Sequence, residues 1–118
     1  MNHKGLVIAV FSGMVTFQSF SARCDTIDYE KDIYPILETY CVGCHTADDP
    51  QGGLVMESFA DLMKGGSSGL AVTAEGPSSS RLLLMASGKL EPVMPPDDAE
   101  GPNDEELAVL AMWIDQCA

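Results

Sequence analysis

The chain has 118 residues, enough for one domain, with 18 acidic side chains against 6 basic ones and a net charge of −12. That balance argues against nucleic acid and anionic lipid as partners and favours basic or amphipathic ones. So short and acidic a chain buries little core from its side chains alone, so a large apolar cofactor would supply buried surface they lack.

Residues 1–22 read as a secretory signal peptide: Lys4 gives a positive start, Leu6 to Phe17 is mostly apolar, and Ser19, Ser21 and Ala22 are small enough for cleavage. Ser12 and Gly13 interrupt a run already short for a membrane span. An uncleaved anchor is the alternative, and lipid attachment at Cys24 is disfavoured by Arg23 before it. Residues 23–118 then form the working domain, expected in the periplasm or otherwise outside the cytoplasm.

Asp28 is placed to cap a helix in which Tyr29, Ile33, Ile36, Leu37 and Tyr40 recur at spacings of three and four. Pro35 cannot sit deep in that helix, which therefore starts near Ile33 or kinks there. The helix runs into Cys41-Val42-Gly43-Cys44-His45, the pattern of covalent c-type haem attachment. Two thiols at this spacing meet the two vinyl groups of one porphyrin, and His45 falls beneath the ring as an axial ligand. A dithiol redox site would want a βαβ setting that is missing here, and a zinc site would have to recruit Cys24 and Cys117.

Residues 46–54 are rich in Asp, Pro and Gly and read as a loop, with a carbonyl near Pro50 as the candidate partner for the second nitrogen of His45. A short helix from about Glu57 to Lys64 is expected to bury Phe59, Leu62 and Met63. Gly65 to Gly69 ends it in an ordered turn or in slack. Leu70 to Thr73 reads as extended, and Pro77 and Ser78 open a helix running to about Ala86 and stopped by Gly88. In Pro92-Val93-Met94-Pro95-Pro96 three prolines hold one methionine on a stiff, extended backbone.

Asn103 and Glu106 form a capping box for a last helix, whose face of Leu107, Leu110, Ala111, Ile114 and Cys117 is expected to pack on the first helix and on a haem edge. With Cys41 and Cys44 assigned, Cys24 and Cys117 remain as an even pair in an oxidising compartment, and a disulfide between them is expected. His3 lies in the signal, so the distal ligand is a methionine, a small exogenous ligand or nothing. Met56, Met63 and Met112 read as packing; Met94 is the leading candidate and Met85 the second.

From about Ile27 to Ala118 the chain resembles the planctomycete-type cytochrome c domain of the class I monohaem cytochromes. The resemblance rests on Asp32-Ile33-Tyr34-Pro35-Ile36-Leu37, Cys41 to His45, Gly52-Gly53-Leu54, Gly65-Gly66, Ser80-Arg81-Leu82-Leu83, Met94-Pro95-Pro96 and Trp113-Ile114. It implies an all-α fold, a few helices wrapped around one covalently attached haem c, with Cys41, Cys44 and His45 on the attachment side and Met94 as sixth ligand. Where similar sequences end in Trp-Ile-x-x-Gly-Ala, this one places Cys117 before Ala118. The expected function is single-electron transfer between redox partner proteins with basic docking surfaces, by a monomer that needs no small-molecule substrate and is not an enzyme. The alternatives are a haem-bearing subunit of a larger dehydrogenase, or a five-coordinate ligand-binding or peroxidatic haem protein; no distal His and Arg constellation favours the latter.

Overall fold

A computed structural model describes residues 9–10, 13–16 and 27–117, without the side chain of Cys117. The cleavage region and the expected Cys24–Cys117 bond lie outside the described residues. Among those described, the secondary structure is helical with no strand, in keeping with an all-α fold, and no helix is long and apolar enough to cross a membrane.

The chain enters through a single π-helical turn, Tyr29–Ile33, and continues directly into helix α1, Tyr34–Tyr40. Asp28 caps it as its sequence position suggests: Oδ1 accepts from the Lys31 amide at 2.9 Å, while Asp32 Oδ2 accepts from the Asp28 amide at 2.8 Å. Pro35, in the first turn of α1, has no amide to give the ladder, and the wider π turn precedes it. Of the two expectations, a start near Ile33 or a kink there, the α-helix does begin beside Ile33, and the turn before it is of another helix type. Ile33, Ile36 and Leu37 turn inward and are buried.

Helix α2, Phe59–Lys64, begins later than expected because Ser58 caps it, its hydroxyl oxygen accepting from the Asp61 amide at 3.1 Å. Of the three apolar residues assigned to its core face, Leu62 is buried and Met63 half-buried. Phe59 is 43% exposed, its ring edge-on to Tyr29 and Trp113 at the margin of an aromatic cluster. The following glycines form an ordered turn. A Cβ on Gly65, at φ 73°, would strike the Gly69 carbonyl, and one on Gly66 would come within 2.6 Å of the Gly52 carbonyl oxygen. The Ser67 amide donates to that same Gly52 oxygen at 2.8 Å, so two glycine turns far apart in sequence are laced together.

Residues 71 and 72 are buried, though no strand forms. The single helix expected from Pro77 to Ala86 is split: Pro77–Ser79 make a 3-10 turn, Ser80 is extended, and α3 covers only Arg81–Ala86. The break has a cause outside the local pattern. Ser80 is fully buried, its hydroxyl donating to the Gly76 carbonyl at 2.9 Å and accepting from the Thr73 amide at 3.0 Å. Gly88, at φ 76°, stops the helix as expected.

Helix α4, Asp104–Cys117, carries the capping box: the Glu106 amide donates to Asn103 Oδ1 at 2.9 Å and the Asn103 amide to Glu106 Oε1 at 3.3 Å. Leu110, Trp113 and Ile114 are buried, and the helix packs on the π turn, on α3 and on the 77–79 turn. Tyr29 and Trp113 rings lie 5.5 Å apart at that junction. The hydrophobic core thus joins the N-terminal turn, α1, Met56, Leu62, Val72 and α4.

Candidate functional site

Beside this core lies a cavity of about 500 Å³, lined largely by apolar side chains. It brings together residues separated by more than fifty positions: Cys41, Cys44 and His45 from the end of α1, Leu54 and Met56, the 66–69 turn, Arg81, Leu82, Met85 and Ala86 from α3, and Met94 with Pro92, Pro95 and Pro96. All four residues singled out as cofactor-binding, Cys41, Cys44, His45 and Met94, therefore face one space.

Local hydrogen bonding explains how the attachment segment is held. The Cys41 and Val42 amides both donate to the Leu37 carbonyl, at 2.8 and 2.9 Å, which closes α1 with a wide turn and swings Cys44 and His45 back over it. The His45 amide then donates to Val42 at 3.1 Å, and its carbonyl accepts from the Met56 amide at 2.8 Å. Its ring is fixed as well. Nδ1 lies 3.1 Å from the Leu54 carbonyl oxygen, and since a carbonyl only accepts, Nδ1 carries the proton and Nε2 keeps its lone pair for a metal.

The partner of His45 is thus Leu54 and not a carbonyl near Pro50. Pro50 instead forms a bridge with the His45 backbone, and its own carbonyl accepts from the Gly53 amide at 2.9 Å. That turn through Gly52 and Gly53 is what redirects the chain so that Leu54 reaches the ring.

Burial pushes the Cys41 thiol up to about 11, with the Cys44 thiol adding to the effect, so at neutral pH Cys41 is an S–H group and not a thiolate. Above the motif, the Tyr40 hydroxyl donates to Glu106 Oε1 at 2.9 Å, a bond that raises the phenol pKa and ties the cavity wall to α4.

Of the five methionines from residue 27 onward, three line the cavity and two do not. Met56 arrives beside His45 through its amide bond to the His45 carbonyl, whereas Met85 and Met94 share a wall, the Met94 amide donating to the Met85 carbonyl at 3.1 Å. Met63 and Met112 stand apart from it. The proline-framed segment is irregular, with cis peptides before Pro92 and Pro95, and not the straight extended run expected. Helix α4 contributes no side chain to the cavity, whose nearest contact is Pro102 ahead of it; its apolar face is taken up by the π turn, α3 and the 77–79 turn. The expectation that α4 packs on a haem edge is corrected accordingly.

The model of the planctomycete cytochrome C family matches residues 41–98, from the first cysteine of the motif through the proline frame. That match supports a planctomycete-type cytochrome c domain over those residues. No curated protein and no solved structure gives a significant match.

A cytochrome c domain implies a c-type haem, and the residues present fit one. The donor set is two thiols three apart, an imidazole with Nε2 free and three thioethers, all around a space within the ~300–1,000 Å³ range of cofactor sites. No group of three or more His, Cys, Asp or Glu side chains among the described residues could hold a bare metal ion, and Cys24 and the Cys117 side chain, which a zinc site would have to recruit, lie outside them. The cytochrome domain also contains Arg81 in the cavity wall, a residue that sequence reasoning noticed only as part of a family resemblance.

Proposed function

We propose that this cytochrome domain is an exported, monohaem electron-transfer protein with a class I cytochrome c fold. Cys41 and Cys44 would hold the porphyrin as thioethers, His45 Nε2 would ligate the iron, and Met94 would supply the sixth ligand. The observation that carries the reading is the convergence of those four side chains on one apolar cavity, with the His45 ring already oriented by the Leu54 carbonyl. Haem supplies a one-electron Fe(III)/Fe(II) couple, and a thioether opposite an imidazole raises its potential relative to two nitrogens.

The chain's own residues do the rest. Leu54, Met56, Leu82 and Ala86 give the ring an apolar lining and keep water from it, and the Leu54 carbonyl makes His45 a more basic donor. A filled sixth position means that no substrate binds at the metal. Met94 is preferred to Met85 because prolines on both sides restrict its backbone, whereas Met85 is held within a helix. The acidic surface fits redox partners with basic docking faces, and the protein acts as a monomer outside the cytoplasm.

The test is expression with a haem-maturation system. The purified protein is expected to keep haem through a denaturing gel and to show sharp reduced-minus-oxidised bands. Met94→Ala opens the ferrous protein to carbon monoxide, and Met85→Ala does not. A colourless protein overturns the reading; the opposite mutant pattern moves the ligand to Met85, and carbon monoxide binding by the unaltered protein makes the site five-coordinate.

A further inference from the structure

A hydrogen bond between residues 66 positions apart joins two parts of the cavity rim: the Tyr40 hydroxyl donates to Glu106 Oε1 at 2.9 Å. Tyr40 is the last residue of α1, directly ahead of Cys41, and lines the cavity half-buried. Glu106 is half-buried in the first turn of α4, where the same Oε1 also accepts from the Asn103 amide at 3.3 Å, so the carboxylate is held from two sides. Ahead of Asn103, Pro102 lines the cavity and Gly101 lies against the methionine segment. A Cβ on Gly101 would stand 3.1 Å from Pro95 Cδ and 3.9 Å from the Met94 carbonyl oxygen. The other edge of that segment is fastened by the Met94 amide, which donates to the Met85 carbonyl at 3.1 Å.

Met94 is thus confined between α3 and residues 101–102, which lead directly into the start of α4. Resting on the function proposed above, we propose that Tyr40 and Glu106 form a clasp that keeps Met94 on the iron and sets how often the sixth position opens. Moving the Met94–Pro95 backbone out of the cavity pushes on Gly101, and the displacement carries Asn103 and Glu106 away from Tyr40. A hydrogen bond to a carboxylate is stronger than one between neutral groups, and a bond made only in the closed arrangement shifts the equilibrium toward it. Both are positioning residues, since they act on the iron through Met94.

The experiment titrates the haem-loaded full chain in its ferric state with imidazole, which reaches the iron only where the methionine has left it. Tyr40→Phe keeps the ring in the cavity wall and removes the hydroxyl. Its apparent imidazole affinity is expected to rise several-fold, up to about tenfold, which is about 1.4 kcal/mol, and its methionine-to-iron charge-transfer band to weaken. Glu106→Gln preserves the capping box, which Gln also serves, and leaves Tyr40 a neutral acceptor, so its affinity should rise less. The double variant should bind imidazole no more tightly than Tyr40→Phe alone, because the two side chains act through one bond. Ile33→Val trims a buried residue that does not line the cavity; it should lower the urea midpoint and leave imidazole affinity unchanged. An unchanged affinity in Tyr40→Phe, additive effects in the double variant, or an equal rise in Ile33→Val overturns the inference. A charge-transfer band that is lost in Met94→Ala but indifferent to Tyr40→Phe refutes only the clasp. A band that survives Met94→Ala, or a chain that carries no haem, refutes the proposed function.

Discussion

Replacing Ser80 by alanine removes one oxygen and should cost more than its position at the head of a helix implies. The hydroxyl is fully buried and holds two backbone groups, the Thr73 amide at 3.0 Å and the Gly76 carbonyl at 2.9 Å, and makes no capping bond to α3. Ser80→Ala leaves the buried Thr73 amide without a partner, while the Gly76 carbonyl keeps the Ser79 amide at 3.2 Å, so a loss of about 1–3 kcal/mol is expected. For a domain of this size that lowers the melting temperature by on the order of 5–20 °C. The assay is a urea titration and a thermal melt followed by far-UV circular dichroism, with Ser80→Asp alongside. Asp is a good helix cap, so it would be tolerated if Ser80 were only a cap. Here its carboxylate cannot donate to Gly76 and would carry charge into a buried site, so Ser80→Asp should be at least as damaging as alanine. A loss below about 0.5 kcal/mol for Ser80→Ala, or a Ser80→Asp variant as stable as the unaltered chain, would refute the reasoning.

Thr73 presents the opposite case: its Oγ1 is buried and lacks a hydrogen bond, so Thr73→Val should be neutral or stabilising by up to about 1 kcal/mol in the same urea titration. The Tyr29 hydroxyl is likewise buried without a partner, and burial, with Glu30 and Tyr34 adding, pushes its pKa up to about 12. Below pH 10 the phenol is protonated in folded and unfolded chains alike; between about 10 and 12 the unfolded chain ionises first and stability falls as pH rises. Tyr29→Phe should remove that part of the alkaline loss, which stability measured at pH 9 and at pH 11 will check. Gly66→Ala would place a Cβ 2.6 Å from the Gly52 oxygen and 3.1 Å from the Leu54 amide nitrogen, and should destabilise by about 1–3 kcal/mol. Because Leu54 orients His45, the same variant should also disturb the axial-ligand region of the haem spectrum.

Much of the site was legible because its chemistry is local. Cys41 to His45 are consecutive, the Asn103 and Glu106 capping box spans one helical turn, and the Met94 prolines adjoin it, so residue type and spacing alone located them. The rest depended on groups that meet only after folding. Nothing about residue 54 announces a ligand to His45, because its contribution is a backbone carbonyl, available from any residue, aimed by the turn at Gly52 and Gly53. Ser80 sits in a helix-like pattern, and its break follows from partners four and seven residues earlier. Phe59 fits the helical apolar period yet lies at the edge of an aromatic cluster whose centre is already filled by Tyr29 and Trp113. Arg81 had no signal beyond its place in the Ser80-Arg81-Leu82-Leu83 resemblance, since its meaning comes from the cavity it faces.

These cases share a physical reason. Helices α1, α2 and α3 have 7, 6 and 6 residues, well below the ~12–15 at which an isolated helix becomes even marginally stable in water. They persist because tertiary contacts hold them, and the contacts that do so are the ones that shape the cavity: Gly66 on Gly52, Leu54 on His45, Ser80 on Thr73 and Gly76, Met94 on Met85. No residue of α3 is fully buried: Leu82 and Leu83 are half-buried against the core, and Leu82, Met85 and Ala86 line the cavity. That helix is therefore stabilised from its cavity side by whatever apolar group lies there, and stability and function are not separable in this part of the chain. A substitution that loosens the 66–69 turn or the Ser80 brace should consequently appear both in the melting curve and in the haem spectrum. One on the solvent face of α4, such as Met112→Lys at a position 49% exposed, should appear in neither.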